Sequence, residues 1–165
     1  MSAKTEPGSG RVYFVTVVLL LLVAPVGSLI VEALAGKQPL DLMFLLGKWF
    51  VFWAGGVRLF LAGLRQIFQP AFTARTIFEI DDPGALAIVR ELGFANLTMG
   101  AVGLASLAVP AWLTPAALVG FLYYGLAGIG HVARLERNAV ENTALVSDLL
   151  IAALLAIFLA TRLTR

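Results

Sequence analysis

The segment Val12–Leu34, VYFVTVVLLLLVAPVGSLIVEAL, decides the fold class, because Glu32 is its only charged residue. A transmembrane helix needs about 20 consecutive residues that are mostly apolar, and this segment meets that requirement. Thr143–Leu163, TALVSDLLIAALLAIFLATRL, has the same character. Over all 165 residues, 60% are hydrophobic and the mean hydropathy is +0.93. We therefore predict an integral membrane protein.

Five hydrophobic segments follow one another along the chain, separated by turns rich in glycine, proline or charge. They cover approximately Arg11–Ala35, Asp41–Phe68, Ala85–Val109, Pro115–Leu135 and Thr143–Leu163. These segments leave no room for a soluble domain and show no repeat of fixed period. We predict an all-α integral membrane helical bundle with five transmembrane helices, forming a single domain over residues 1–165.

The second segment allows two arrangements. Lys48, Arg58 and Arg65 share about a third of its helical circumference with small residues, opposite a wall of bulky apolar side chains. It either spans the membrane with this face toward the bundle interior, or it lies in the interface as a basic amphipathic helix, which leaves four spans. We favour spanning, because small residues suit close packing between helices.

The basic residues predict an orientation. With five spans and a cytoplasmic N-terminus, the cytoplasmic side collects seven basic residues and the outer side three. The seven are Lys4, Arg11, Arg65, Arg75, Arg90, Arg134 and Arg137, and the three are Lys37, Arg162 and Arg165. The four-span arrangement, with the N-terminus outside, satisfies the positive-inside rule about as well.

The composition argues against several kinds of chemical site. The chain has no cysteine and one histidine, which excludes disulfides and thiolate metal sites and argues against multi-histidine centres. The net charge is only +2, and the basic residues lie beside segment ends, not in a patch that could bind nucleic acid. We predict no metal and no cofactor, and no nucleic-acid partner.

Polar residues within the hydrophobic segments are the candidates for function. An ionisable group in the membrane costs on the order of 2.5–3.5 kcal/mol and normally faces the bundle interior or a water-filled cavity. His131 and Asp148 lie equally far from a turn near Arg137–Val140, so we expect a hydrogen bond between them. Such a pair serves either as a structural cross-link between helices or as part of a site.

A wider cluster forms at the same level of the predicted bundle. Its members are polar or charged residues near the cytoplasmic ends of the helices: His131, Asp148, Glu91, Asn96, Glu141 and Arg58, with Arg65 as an alternative to Arg58. We predict that they form a ligand or proton site in the cytoplasmic half. Gly93, Gly100 and Gly103 form a small-residue stripe beside Asn96, which predicts close helix packing.

Three functions remain open from these residues. A small channel-like or transport protein would use the polar cluster to handle protons or a small polar solute. A non-catalytic accessory subunit of a larger membrane complex would use the glycine stripe as a docking face. A membrane-embedded enzyme using His131 with the carboxylates is least favoured, because no catalytic motif is present. The expected partners are the lipid bilayer and either further copies of the chain or other membrane subunits.

The run Arg90–Asn96, RELGFAN, is followed by a glycine-rich helix and then by Gly-Ile-Gly-His ending at His131. These features resemble uncharacterised small polytopic membrane proteins of bacteria. The resemblance implies a helical membrane fold in the bacterial inner membrane, and no particular activity.

Overall fold

The computed structural model describes residues 7–36 and 41–163. Its regular structure in these ranges is helical, with five helices long and apolar enough to cross a membrane. They are α1 (Gly10–Ala35), α2 (Leu42–Phe68), α3 (Pro83–Ala105), α4 (Pro110–Ala133) and α5 (Ala139–Arg162). The predicted all-α bundle of five membrane helices is confirmed, and the helix ends lie within about five residues of the predicted ones.

Side chains that accept hydrogen bonds mark where several helices begin. Asp41 accepts from the backbone N–H of Phe44 at 2.9 Å, just before α2, and Asp82 accepts from that of Gly84 at 2.6 Å, just before α3. Asn138 accepts from the N–H of Glu141 at 2.9 Å at the start of α5. Each cap satisfies a donor that the first helical turn leaves free.

Two helices contain stretches of π-helix. In α1 the wide turns cover Leu19–Val23 and end two residues before Pro25. Proline has no N–H to donate to the carbonyl four residues earlier, and its ring crowds that carbonyl, so the local hydrogen bonding is disturbed. In α2 the π-helix covers Val51–Arg58. It changes the direction in which the later side chains of α2 point.

The closest helix contact joins α2 and α3 along their glycines. A Cβ at Gly100 would lie 2.7 Å from the Cα of Phe60, and one at Gly103 would lie 2.6 Å from the backbone nitrogen of Gly56. At Gly93, a Cβ would lie 3.0 Å from the Cβ of Gln66. The glycine stripe of α3 therefore packs against α2 of the same chain, and it is not free as a docking face.

The first turns of α2 also pack against other helices of the bundle. Lys48 Nζ lies 2.7 Å from the Glu32 carboxylate on α1, which also accepts a hydrogen bond of 2.7 Å from Trp49 Nε1. Gly47 lies against the ring of Phe158 on α5. This packing supports the spanning arrangement of α2, because a helix lying in the interface would turn its basic residues toward headgroups.

Candidate functional site

A line of ionisable side chains connects α4, α5 and α2. Arg134 Nη1 lies 3.1 Å from Glu141 Oε1, which lies 3.0 Å from His131 Nδ1. The other ring nitrogen of His131 lies 3.9 Å from Asp148 Oδ2, and Asp148 Oδ1 lies 3.0 Å from Arg58 Nη1. We call the end of the bundle where α2 and α4 finish and α3 and α5 begin the charged end.

The expected hydrogen bond between His131 and Asp148 is not present, because their nearest ring and carboxylate atoms are 3.9 Å apart. His131 instead contacts Glu141. The helices end at Ala133 and resume at Ala139, so the turn is centred two to three residues earlier than the predicted turn near Arg137–Val140. Glu141, and not Asp148, is as far from this centre along α5 as His131 is along α4, so His131 and Glu141 are level.

The line of charges runs deep into the bundle. His131 and Glu141 each lie two residues from a helix end, whereas Asp148 lies nine residues from the start of α5 and Arg58 ten from the end of α2. At about 1.5 Å per residue, the Arg58–Asp148 pair lies about 14 Å below the charged end. That is close to the middle of a hydrocarbon core about 30 Å thick.

Arg58 also contacts Tyr124 of α4. Its guanidinium lies 5.3 Å from the centre of the tyrosine ring, and the Tyr124 hydroxyl donates a hydrogen bond of 2.6 Å to the carbonyl of Ala54. Ala54 belongs to the π-helix of α2, where backbone carbonyls depart from the usual helical pairing. Tyr124 is fully buried, so this contact holds α4 against the wide turns of α2.

Asn96 lies near the line of charges but pairs elsewhere. Its Nδ2 donates a hydrogen bond of 2.7 Å to Gln66 Oε1 on α2, and both side chains are buried. Asn96 Oδ1 is buried and makes no hydrogen bond of normal geometry with the described part of the chain. Sequence reasoning missed Gln66, although it is the only amide side chain within α2.

Glu91 does not join the cluster, contrary to the prediction. It is exposed on α3. Five residues separate it from Asn96, and at about 100° per residue this places the two side chains about 140° apart around the helix. They share a level of the bundle but not a face.

A cavity of about 640 Å³ lies at the charged end and is bordered by all five helices and by the connection after α2. Its lining includes His131 and Asp148 from the line of charges, together with Arg58 and Arg134. Arg65, Gln66 and Asn96 line it as well. The structure therefore brings most of the predicted cluster to one cavity, with Glu141 buried directly behind His131.

Apolar side chains close the bundle on the other side of Arg58. The core there includes Phe50 and Val51 of α2 together with Ile151, Leu155 and Phe158 of α5, and all five are buried. The cavity consequently reaches from the charged end to about the middle of the bundle and stops.

The line of charges alternates between basic and acidic groups. His131 lies between two carboxylates, each of which also contacts an arginine. In the described ranges, no three side chains of histidine, aspartate or glutamate are placed to hold a metal ion. The geometry instead offers a row of proton-exchanging and charged groups along one wall of a cavity.

Five apolar helices around a half-closed cavity with a few charged side chains in its wall define a multi-pass helical membrane protein. Residues 13–165 match the model of a family described as a family of unknown function, DUF6790, and the chain belongs to this family. No curated protein and no solved structure matches the chain.

Proposed function

We propose that the protein binds a small solute in the cavity at the charged end and passes it across the membrane, as a small transport protein. The observation that carries this proposal is the cavity itself, which extends from His131 near the charged end to Asp148 near mid-bundle and ends at an apolar core. A site open toward one side and closed toward the other is the arrangement that alternating access requires. We place the protein in a bacterial inner membrane on the strength of the resemblance in α3 and α4.

The accessory-subunit alternative loses its main argument, because α2 covers the glycine stripe of α3. The enzyme alternative has His131 between Glu141 and Asp148, but both carboxylates contact arginines. A carboxylate that is paired with an arginine is a weaker proton acceptor, so this pairing does not favour activation of a nucleophile.

The absence of native cysteine allows a direct test of access. Single cysteines would be placed at Ala127, which lines the cavity, at Ile129, which is 63% exposed on the outer surface of the same helix, and at Ala117, which is fully buried in the core. Each variant would be reconstituted in vesicles and treated with a charged thiol reagent that cannot cross the membrane, added to either side.

We expect Ala127→Cys to react rapidly from the charged end and more slowly from the other side, because transport exposes the cavity to both. Ile129→Cys and Ala117→Cys should stay unreacted, since a thiol in lipid or in a packed core does not ionise. Reaction of Ala127→Cys from one side only would contradict transport. No reaction from either side would contradict a water-accessible cavity.

A further inference from the structure

One arginine of the cavity wall, Arg65, pairs with none of the carboxylates that the structure describes. Arg58 is paired with Asp148 and Arg134 with Glu141. Arg65 makes no ion pair with any carboxylate that the structure describes, and its guanidinium lies 3.4 Å from the centre of the Phe72 ring. Among the described residues, the cavity walls thus carry three arginines and one carboxylate, Asp148, with Glu141 directly behind them, which leaves a surplus positive charge. A cavity of this kind favours an anion.

A second unsatisfied group lies in the same cavity. Asn96 is only 2% exposed, yet its amide oxygen has no hydrogen-bond partner among the residues that the structure describes. A buried polar atom without a partner costs about 1–3 kcal/mol, so a bound molecule or water with a polar group would stabilise it.

The remaining lining is mostly apolar and opens toward the lipid. Leu61 of α2 is 49% exposed and Leu126 of α4 is 68% exposed, and both border the cavity. Leu61 lies four residues deeper in the membrane than Arg65, and Leu126 lies eight residues deeper than Arg134. At about 1.5 Å per residue, these leucines lie about 6–12 Å below the arginines.

We infer that the cavity binds an anionic amphiphile, with its phosphate or carboxylate at Arg65 and Arg134 and its hydrocarbon chain along Leu61 and Leu126. This inference rests on the proposed function and names the class of solute. The arginines supply charge-assisted hydrogen bonds. The leucines supply an apolar path at the depth where a chain attached to that headgroup would lie. The same chemistry occurs in a membrane phospholipid and in a free single-chain amphiphile.

Binding of three probes to the purified protein in a mild non-ionic detergent would test the inference. Dodecyl phosphate carries both the anionic head and the chain, inorganic phosphate carries only the head, and dodecanol carries only the chain. We expect dodecyl phosphate to bind at least tenfold more tightly than either of the other two. If the natural ligand is a phospholipid of the bilayer, dioleoyl phosphatidylglycerol should compete with dodecyl phosphate. If the natural ligand is a free single-chain molecule, it should not compete. Either result supports the inference.

Variants locate the site. Arg65→Gln should weaken dodecyl phosphate binding about tenfold, as expected for the loss of one charge-assisted contact. Arg75→Gln is the matched control, because Arg75 is exposed, pairs with Asp81 and does not line the cavity. It should bind as the unaltered protein does. Ala127→Phe keeps every charge but fills the cavity, and it should also weaken binding.

If inorganic phosphate bound as tightly as dodecyl phosphate, the inference that the ligand needs a hydrocarbon chain would be wrong. If dodecanol bound as tightly, the inference that it needs an anionic head would be wrong. If neither Arg65→Gln nor Ala127→Phe changed the affinity for dodecyl phosphate, the inference that it binds in this cavity would be wrong. None of these results affects the two-sided labelling of Ala127→Cys, so a wrong solute class and a wrong function give different outcomes.

Discussion

The Arg58–Asp148 ion pair is buried in the bundle, so its charges lose most of their contact with water. The two side chains are 16% and 7% exposed and join α2 to α5 near mid-bundle. Burying a charge is costly unless its partner remains, so removing one member of such a pair harms stability more than removing both. The pair therefore acts as a cross-link whatever its role in the cavity.

Asp148→Ala should lower the free energy of unfolding by roughly 3 kcal/mol, because it leaves the Arg58 guanidinium buried without its anion. The double variant Arg58→Met with Asp148→Ala should recover most of that loss. Unfolding by a denaturing detergent in mixed micelles would measure both.

Asp81→Ala provides the control, since its pair with Arg75 is 82% and 60% exposed and should contribute less than about 1 kcal/mol. An equally small effect of Asp148→Ala would show that cavity water solvates Arg58 without help from the carboxylate.

At the scale of helices, the glycine contact between α2 and α3 dominates. Small residues let helix backbones approach closely, and van der Waals contact then supplies the attraction that the hydrophobic effect cannot supply in lipid. Asn96 and Gln66 form their hydrogen bond across the same contact. The packing thus also positions one wall of the cavity.

Gly100→Ala should destabilise the bundle by roughly 1–3 kcal/mol, because its Cβ would overlap the backbone at Phe60 and push the helices apart. Gly27→Ala is the matched control on α1, where a Cβ would meet nothing within 4 Å. There the better helix propensity of alanine should leave stability unchanged or raise it by up to about 1 kcal/mol. Unfolding in mixed micelles distinguishes the two, and equal stabilities would mean that α2 and α3 are not in contact.

The sequence predicts the five helices well because hydrocarbon thickness sets their length. It predicts less of the site, for reasons visible in particular residues. The sequence places Glu91 and Asn96 near the same end of α3, but their side chains point in directions about 140° apart around the helix. The partner of His131 depends on the centre of a turn that hydropathy does not locate. The π-helix in α2 also changes the angle between successive side chains around the helix axis. A prediction of the faces of α2 from a uniform step of about 100° per residue is therefore inaccurate beyond it.

For the whole molecule, the distribution of basic residues predicts how the chain sits in the membrane. Arg65, Arg75, Arg90 and Arg134 all lie at the charged end or in the connections there, whereas Arg162 lies at the other end. Since cytoplasmic loops collect arginine and lysine, we expect the charged end, and the cavity with it, to face the cytoplasm.

Reporter fusions at the two termini would test this orientation. With five spans, the N-terminal fusion should report the cytoplasm and the C-terminal fusion the opposite side. Two fusions on the same side would show that one helix does not cross, and α2 would then be the first to examine with cysteine labelling at its exposed residue Leu61.

The bias of arginine and lysine toward one end has a geometric consequence for any assembly of this chain. All copies would insert the same way up, so a closed ring or pair could form only about a symmetry axis perpendicular to the bilayer. An axis lying in the bilayer plane would require half of the copies to be inverted. Neighbouring copies would therefore be parallel, with the mouths of all their cavities on one face of the membrane.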